Sequence, residues 1–486
     1  MSSASANPAG LAAPAESPQA WLRLAASLLL MTLGGSGMYS VTVVLPQIQA
    51  EFGIDRADAS LPYTLTMIGF GLGGVAMGRL ADRFGVMVPV LLGSVGLAAG
   101  FVAAGSAQSL WQFSLAQGLL MGFLGTASTF APLVADTSQW FTRRRGIAVA
   151  ICMSGNYVAG AIWPPVMQHF FDTVGWRSTY MGVGVFCLAT MLPLALMLRG
   201  RPPVATAEAL TCSARTGLQA GTAQRARGMP LESPASPPPL SQRERESSGR
   251  LSQTERESSG RLSQGQRGSS RETLTESRER PLGLAPSTLQ GLLCIAGVAC
   301  CVAMSMPQVH IVAYCGDLGF GAARGAQMLA LMLGLGVVSR LASGWISDHI
   351  GGLRTLLLGS VLQGLALLLF FFNDSLASLY VISALFGLFQ GGIVPSYALI
   401  VREYFSPKDA GARVGTVLMA TLFGMALGGW MSGAVFDATG SYRAAFANGI
   451  AWNALNLSIV IFLLWRARRL SGNRRRESML VNRSPS

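Results

Sequence analysis

The chain has 486 residues, of which 51% are hydrophobic and only 12% are charged, and its formal net charge is +13. A soluble chain carries about 25% charged residues, so this composition excludes an ordinary soluble protein and indicates a membrane protein. The positive charge does not indicate nucleic-acid binding, because its distribution follows the predicted membrane topology.

Apolar runs along the chain predict twelve transmembrane helices, each near the 20 residues that cross a hydrocarbon core of about 30 Å. The runs cover approximately 24–45, 61–80, 86–105, 112–134, 146–168, 178–198, 288–312, 325–346, 353–372, 377–400, 412–434 and 443–465. We therefore expect an all-α membrane protein with two pseudo-symmetric six-helix bundles, at 21–198 and 288–466.

Three segments lie outside these bundles. Residues 1–20 are rich in Ala, Ser and Pro and predict a disordered tail, while 467–486 form a basic tail. The segment 199–287 is rich in Arg, Glu, Ser, Gln and Pro, so it cannot bury enough apolar surface to order itself. Within it, the sequence at 245–253 recurs at 256–264, which is either part of a flexible linker or a docking or regulatory site.

All but five of the 36 basic residues fall on one side of the membrane in this topology. By the positive-inside rule, that side is cytoplasmic and holds both termini. We expect a multi-pass protein of the inner (plasma) membrane, in contact with membrane lipid and not with nucleic acid. A monomer is compatible with the sequence.

A short turn sequence occurs twice, once in each half of the chain. The first copy is Gly78–Gly85 (GRLADRFG) and the second is Gly344–Gly351 (GWISDHIG), and each lies between two predicted helices. We expect the first glycine of each copy to let a neighbouring helix pack closely. Each aspartate supplies an anion that caps a nearby helix or pairs with a basic side chain. The last glycine allows the chain to reverse into the next helix. A duplicated bundle is typical of a carrier.

This turn resembles the loop signature of the major facilitator superfamily, which lies between helices two and three and again between helices eight and nine. The resemblance implies that the turn is a gating element that stabilises one conformation of a carrier. Its residues here are Gly78, Asp82, Arg83, Gly85, Gly344, Asp348 and Gly351. The first copy departs from the family pattern at its end, where Val86 and Met87 replace the usual basic residues.

Three further segments resemble monocarboxylate carriers and oxalate–formate exchangers within that superfamily. They are 140–148 with Ser154 and Gly155, the turn Gly175–Arg177, and the turn at 437–446. The resemblance covers both halves. It implies a secondary active transporter that moves a small organic monocarboxylate by alternating access, coupled to protons or by anion exchange.

Arg340 is the main candidate for binding the substrate. It lies eight residues before Asp348, hence about 12 Å along the helix from the turn at 1.5 Å per residue. A charge at that depth costs about 2.5–3.5 kcal/mol and is usually functional. A guanidinium matches a carboxylate bidentately, and the resemblance places an arginine four residues before Gly344. The alternative is an arginine that snorkels or pairs internally.

The chain departs from the animal carriers around this arginine. The resemblance places an aspartate where this chain has Gly336, and a lysine in the first helix where this chain has Tyr39 or a close neighbour. Lys408 is the only lysine in the chain. The family's proton-relay pair is therefore missing, and His310 is a candidate substitute because histidine titrates near neutral pH. The alternative is a solvated or backbone-bonded histidine.

Other polar residues within the predicted helices are candidates for substrate contact or for hydrogen bonds between helices. The candidates for substrate contact are Tyr39, Asn156, Tyr157, Gln390 and Tyr397. Asp317 and Asp437 lie in predicted outer loops, where we expect them to act as caps.

Enzymatic chemistry is excluded by what the sequence lacks. With one lysine outside any Gly-rich loop there is no phosphate-binding loop, so this chain does not hydrolyse ATP, and no cofactor is expected. The three histidines have no metal-site spacing. Two alternatives to a monocarboxylate carrier remain, namely an exporter of amphipathic or aromatic compounds and a transporter-like sensor that uses 199–287.

Overall fold

In the computed structural model, which describes residues 17–141, 144–200 and 281–481, the chain forms twelve helical spans long and apolar enough to cross a membrane. We number them α1 Pro18–Phe52, α2 Arg56–Phe84, α3 Met87–Gly105, α4 Leu110–Trp140, α5 Gly146–Val174, α6 Trp176–Arg199, α7 Pro286–Asp317, α8 Ala322–Ile350, α9 Gly352–Phe372, α10 Leu376–Tyr404, α11 Asp409–Thr439 and α12 Tyr442–Leu470. The described residues contain no β-strand, so the predicted all-α fold is confirmed.

The helices extend beyond the predicted apolar runs at several ends. The helix that contains α12 continues to Val481, so most of the predicted basic tail is helical. Residues 1–16, 201–280 and 482–486 lie outside the described residues, and with them the predicted 11-residue repeat and most of the segments expected to be disordered.

The sequence of turns fixes which helix ends share a face of the bundle. We call the end with Pro18 and Leu470 the terminal face, and the other end, where α1 ends at Phe52, the opposite face. The duplicated turns between α2 and α3 and between α8 and α9 therefore lie at the terminal face.

Glycine permits the closest helix packing in the first half, α1–α6. Residues Ala116–Thr126 of α4 are wound as a π-helix, and α2 packs against this stretch. A Cβ on Gly69 of α2 would overlap the carbonyl oxygen of Gly118 in α4. Small residues allow such backbone approach where apolar burial alone gives little driving force between helices.

Two helix pairs form the most extensive contacts between the first half and the second half, α7–α12. Helix α2 packs against α11, and α5 packs against α8. On the outside of the bundle, large apolar side chains are exposed, as expected of a surface that faces lipid. Examples are Val95, Val185, Phe186, Val381 and Ile461.

Candidate functional site

Arg340 lies on α8 at the boundary between the two halves. Its Nη1 donates a hydrogen bond to the carbonyl oxygen of Met153 on α5, at 3.2 Å, and its Nε donates to the carbonyl oxygen of Gly391, at 3.5 Å. Met153 belongs to the first half and Gly391 to the second. The guanidinium therefore bridges the halves through backbone oxygens, which carry no compensating charge.

The ring of Tyr157 covers one side of this guanidinium. The Cζ atom of Arg340 lies 4.5 Å from the centre of the ring, a cation–π arrangement. Gly336, one turn earlier on α8, provides the space for that ring, because a Cβ there would stand 2.5 Å from two of its carbon atoms. The glycine found where the animal carriers have an aspartate is thus required by the tyrosine that contacts Arg340.

The charge of Arg340 has no protein counter-ion in the described part of the chain. No described carboxylate lies within ion-pairing distance of it, and the residue is half-buried. A guanidinium has five N–H donors, and two of its nitrogens bind the carbonyl oxygens of Met153 and Gly391. The remaining donors can bind an anion.

The structure brings two of the other predicted site residues, Tyr157 and Tyr39, to this place. Tyr39 on α1 is buried, and its ring packs against Gly160 of α5. The Tyr39 hydroxyl lies within electrostatic range of Arg340 and Tyr157. Asn156 precedes Tyr157, is half-buried, and directs its Oδ1 toward Gly35 of α1. We call Tyr39, Tyr157 and Arg340 the arginine site, and substrate contact by Asn156 stays a prediction.

Gln390 and Tyr397, by contrast, have hydrogen-bond partners inside the second half. Gln390 accepts a bond from Gln308 at 2.7 Å, although its own buried Nε2 has no partner among the described residues. The Tyr397 hydroxyl donates to Asn456 Oδ1 at 3.1 Å. Tyr397 therefore connects α10 to α12, and it is Gln390, next to Gly391, that adjoins the arginine site.

His310 is buried on α7 and bonds to the backbone. Its Nε2 lies 2.9 Å from the carbonyl oxygen of Gly429 on α11, to which it must donate. Its buried Nδ1 has no partner in the part of the chain that the structure describes. The backbone-bonded alternative is therefore the observed one in this conformation, and Nδ1 is the ring nitrogen that does not bond to Gly429.

A second polar cluster, which sequence reasoning did not identify, joins the halves at the opposite face. We call Arg56, Asp317, Asp437 and Tyr442 the opposite-face cluster. Arg56 at the start of α2 forms an ion pair with Asp317 of α7 at 2.8 Å and also donates to the Tyr442 hydroxyl. Tyr442 in turn donates to Asp317 at 2.8 Å.

Asp437 of α11 completes this cluster by capping the short first turn of α2. Its carboxylate accepts the backbone N–H groups of Arg56 at 3.0 Å and Ala57 at 2.7 Å. Capping by Asp437 confirms the sequence expectation, whereas Asp317 acts as an ion-pair partner and not as a cap. The Arg56 side chain is 8% exposed, so a charge that joins the two halves is almost completely buried.

The duplicated turn has the same backbone geometry in both copies. Gly85 has φ 85° and ψ 163°, and Gly351 has φ 83° and ψ 161°. Both values lie in a region that favours glycine, so the expected reversal is confirmed. The expected role of Gly78 and Gly344 is wrong, because a Cβ at either position would meet nothing within 4 Å.

The charged residues of the turn are exposed. Asp82 and Asp348 form no hydrogen bond or ion pair with a described residue, and Arg83 stacks on its neighbour Phe84. The anion that caps α9 is instead Glu403 of α10, which accepts the N–H of Gly352 at 3.0 Å. The aspartates of the turn therefore hold no described residue in this conformation, and a gating role for the turn stays a prediction.

Comparison with known proteins gives the family. The family model of the Major Facilitator Superfamily matches residues 26–372 and 292–482. Monocarboxylate transporter 13 of Rattus norvegicus is 25% identical over 79% of this chain and 74% of that protein. Monocarboxylate transporter 12 of the same species is 23% identical over 90% and 84%. MFS-type transporter pynF of Aspergillus niger is 33% identical, over 27% of this chain and 30% of that protein.

Solved structures share the fold at lower identity. A POT family transporter in complex with a thioalcohol-conjugated peptide superposes with a TM-score of 0.62 at 13% identity, over 92% of this chain and 96% of that one. A bacterial homologue of the human lysosomal transporter Spinster, inward-facing and occupied, gives 0.61 at 14%, over 93% and 98%. At such identity the likeness establishes the fold alone.

Proposed function

The chain belongs to the Major Facilitator Superfamily, and we propose that it is a secondary active transporter of a small organic monocarboxylate. The observation that carries this proposal is the Arg340 guanidinium, which lies between the halves with no carboxylate partner among the described residues. A transported acid supplies the missing charge. The similarity to monocarboxylate transporters supports the same substrate class.

The arginine site explains how an acid is held. The guanidinium fork binds the carboxylate bidentately, while Tyr157 covers one side of Arg340 and restricts its position. The hydroxyl of Tyr39 adds to the polar lining, and Gln390 adjoins it. This lining suits a small acid whose remaining atoms are apolar or weakly polar.

Alternating access follows in this proposal from the two contact regions between the halves. The opposite-face cluster holds the halves together at one end, and we propose that in this conformation the acid reaches Arg340 from the terminal face. Release on the other side requires Arg56 to leave Asp317. The predicted excess of basic residues at the terminal face supports a plasma-membrane orientation with cytoplasmic termini.

Coupling in this chain differs from that of the animal carriers, because Tyr39 and Gly336 replace their lysine and aspartate. We propose either exchange of one anion for another, which needs no proton site, or proton symport in which His310 Nδ1 takes the proton. His310→Gln separates the two. If the protein exchanges anions, a pH gradient drives no uptake in either the unchanged protein or the His310→Gln variant. If it is a proton symporter, a pH gradient drives uptake in the unchanged protein, and this uptake is lost in the variant.

Uptake of radiolabelled lactate, pyruvate and short-chain acids into proteoliposomes tests the substrate class. We expect saturable uptake that falls about a hundredfold in Arg340→Gln, since loss of a charged partner costs about 2–5 kcal/mol and each 1.4 kcal/mol is tenfold. Arg340→Lys keeps the positive charge without the guanidinium fork. Its uptake is expected to lie between that of the unchanged protein and that of Arg340→Gln. Arg324→Gln, at an exposed arginine of the same helix, is the matched control. Uptake that is unchanged in Arg340→Gln would refute the assignment of Arg340 as the residue that binds the carboxylate.

A further inference from the structure

The second half contains a cavity at the terminal face that the transport site does not use. Its volume is about 330 Å³, at the lower end of the roughly 300–1,000 Å³ of small-molecule pockets. Three elements line it: the turn into α9 with Gly352 and Arg354, the end of α10 with Glu403 and Tyr404, and α12 with Leu464 and Arg468.

The polar lining of this cavity favours an anion. Arg354 is exposed and forms no ion pair with a described residue, and Arg468 stands on the wall formed by α12. Glu403 is the one acidic residue among the lining side chains, and its Oε1 already accepts the N–H of Gly352 at 3.0 Å. Arg354 and Arg468 thus bring two guanidinium groups to the lining of this cavity, whose one lining carboxylate already accepts a backbone N–H.

The depth of the cavity matches the headgroup layer of a bilayer. Arg354 is the third residue of α9, Tyr404 is the last of α10, and Arg468 lies two residues before the end of α12. Beside it, Trp465 is 47% exposed and packs under the guanidinium of Arg469. A basic pocket flanked by an exposed aromatic surface at this level suits a phosphate that carries acyl chains.

We propose that this cavity binds the phosphate headgroup of an anionic membrane phospholipid. Arg354 and Arg468 hold the phosphate from two walls of the cavity. The acyl chains follow the apolar side of α12 from Leu464 toward the hydrocarbon core of the bilayer. The lipid thereby connects the second copy of the duplicated turn to α12. The first copy has no equivalent, because Val88 occupies the position that corresponds to Arg354.

Thermal unfolding of the delipidated full-length protein in detergent tests the proposal. Dioleoyl-phosphatidylglycerol is expected to raise the unfolding midpoint in a saturable way, because a ligand that binds only the folded state stabilises it. Dioleoyl-phosphatidylcholine is expected to raise it less. The variant Arg354→Gln/Arg468→Gln loses more than half of the shift. Arg79→Gln/Arg402→Gln, which removes two exposed arginines of the same face, keeps it.

Three results would overturn the proposal: a full phosphatidylglycerol shift in the double variant, an equal shift with phosphatidylcholine, or the same saturable shift with sn-glycerol phosphate. The last result assigns the cavity to a soluble phosphate compound. If the double variant does not fold, Leu464→Trp fills the cavity from its apolar wall and leaves both charges in place. It is expected to abolish the shift, and a full shift in that variant also overturns the proposal.

Discussion

The two ends of the helical bundle differ in where their buried charges find partners. At the opposite face, Arg56 of the first half pairs with Asp317 of the second half. At the terminal face, the buried pair Arg23–Asp136, with side chains 7% and 6% exposed, lies entirely within the first half. Arg23 also donates to the carbonyl oxygen of Leu198 in that half, at 3.0 Å.

This difference has a consequence for motion between the halves. Separating them at the opposite face removes the charged partner of a buried guanidinium, which is costly. Separating them at the terminal face leaves Arg23–Asp136 intact. The halves are therefore expected to part more readily at the terminal face, and an acid at Arg340 has to offset the loss at Arg56 before the opposite face opens.

The largest effect is expected from fixing the opposite face covalently. Ala57 and Asp437 lie on different halves and are in contact, because the Asp437 carboxylate accepts the Ala57 N–H at 2.7 Å. The two thiols of Ala57→Cys/Asp437→Cys are therefore expected to form a disulfide on oxidation. In a background without other cysteines, oxidation is expected to abolish uptake and reduction to restore it. Each single cysteine variant is the control. Full uptake in the oxidised, cross-linked protein would contradict the role of this face.

The next largest effect is on stability, from breaking the pair inside the first half. Asp136→Asn leaves Arg23 buried without its counter-ion, so the free energy of unfolding is expected to fall by about 3–5 kcal/mol. Chemical denaturation measures this loss. In the single variant Ala57→Cys, the rate at which an impermeant maleimide labels the introduced thiol is expected to stay unchanged when Asp136→Asn is added. Faster labelling would show that the pair also holds the halves together.

A smaller loss of stability with faster labelling is expected at the opposite face. Asp317→Asn should cost about 2–3 kcal/mol, less than for a fully buried pair because the Asp317 side chain is 43% exposed. Labelling of the thiol introduced by Ala57→Cys should rise about tenfold or more. The matched control is Asp374→Asn, whose exposed pair with Arg443 lies within the second half and is worth about 1 kcal/mol or less. Equal labelling in both variants would refute the cluster's role.

The smallest stability effect is expected at the duplicated turn. Asp82 is exposed and has no partner among the described residues, so Asp82→Asn should change the free energy of unfolding by no more than about 0.5 kcal/mol. If the turn stabilises a different conformation, uptake falls although stability does not. A large loss of stability would mean that Asp82 already holds this conformation together.

The sequence predicted the features that depend on local pattern. Twelve apolar runs of membrane length predicted the helices, and two copies of one turn predicted matching reversals at Gly85 and Gly351. Arg340 was identified because a lone charge within an apolar run is rare. Each of these signals lies within some twenty neighbouring residues, where composition and spacing decide the structure.

Features that depend on the register between helices were not predicted. Tyr157 covers Arg340 because Gly336 of α8 faces it, a match that neither helix shows alone. Arg56 looked unremarkable because a basic residue near a helix end is common, and its partners lie 261 and 381 residues away in the chain. The only local signal was that few basic residues were predicted on that side of the membrane.

Equilibrium binding of a radiolabelled acid to the purified protein shows whether Arg340 holds the carboxylate of the substrate. For the acid with the highest uptake, the account predicts saturable binding that the unlabelled acid displaces and its amide does not, and an affinity about a hundredfold lower in Arg340→Gln. Unchanged affinity in that variant, or equal displacement by the amide, would contradict carboxylate binding by Arg340.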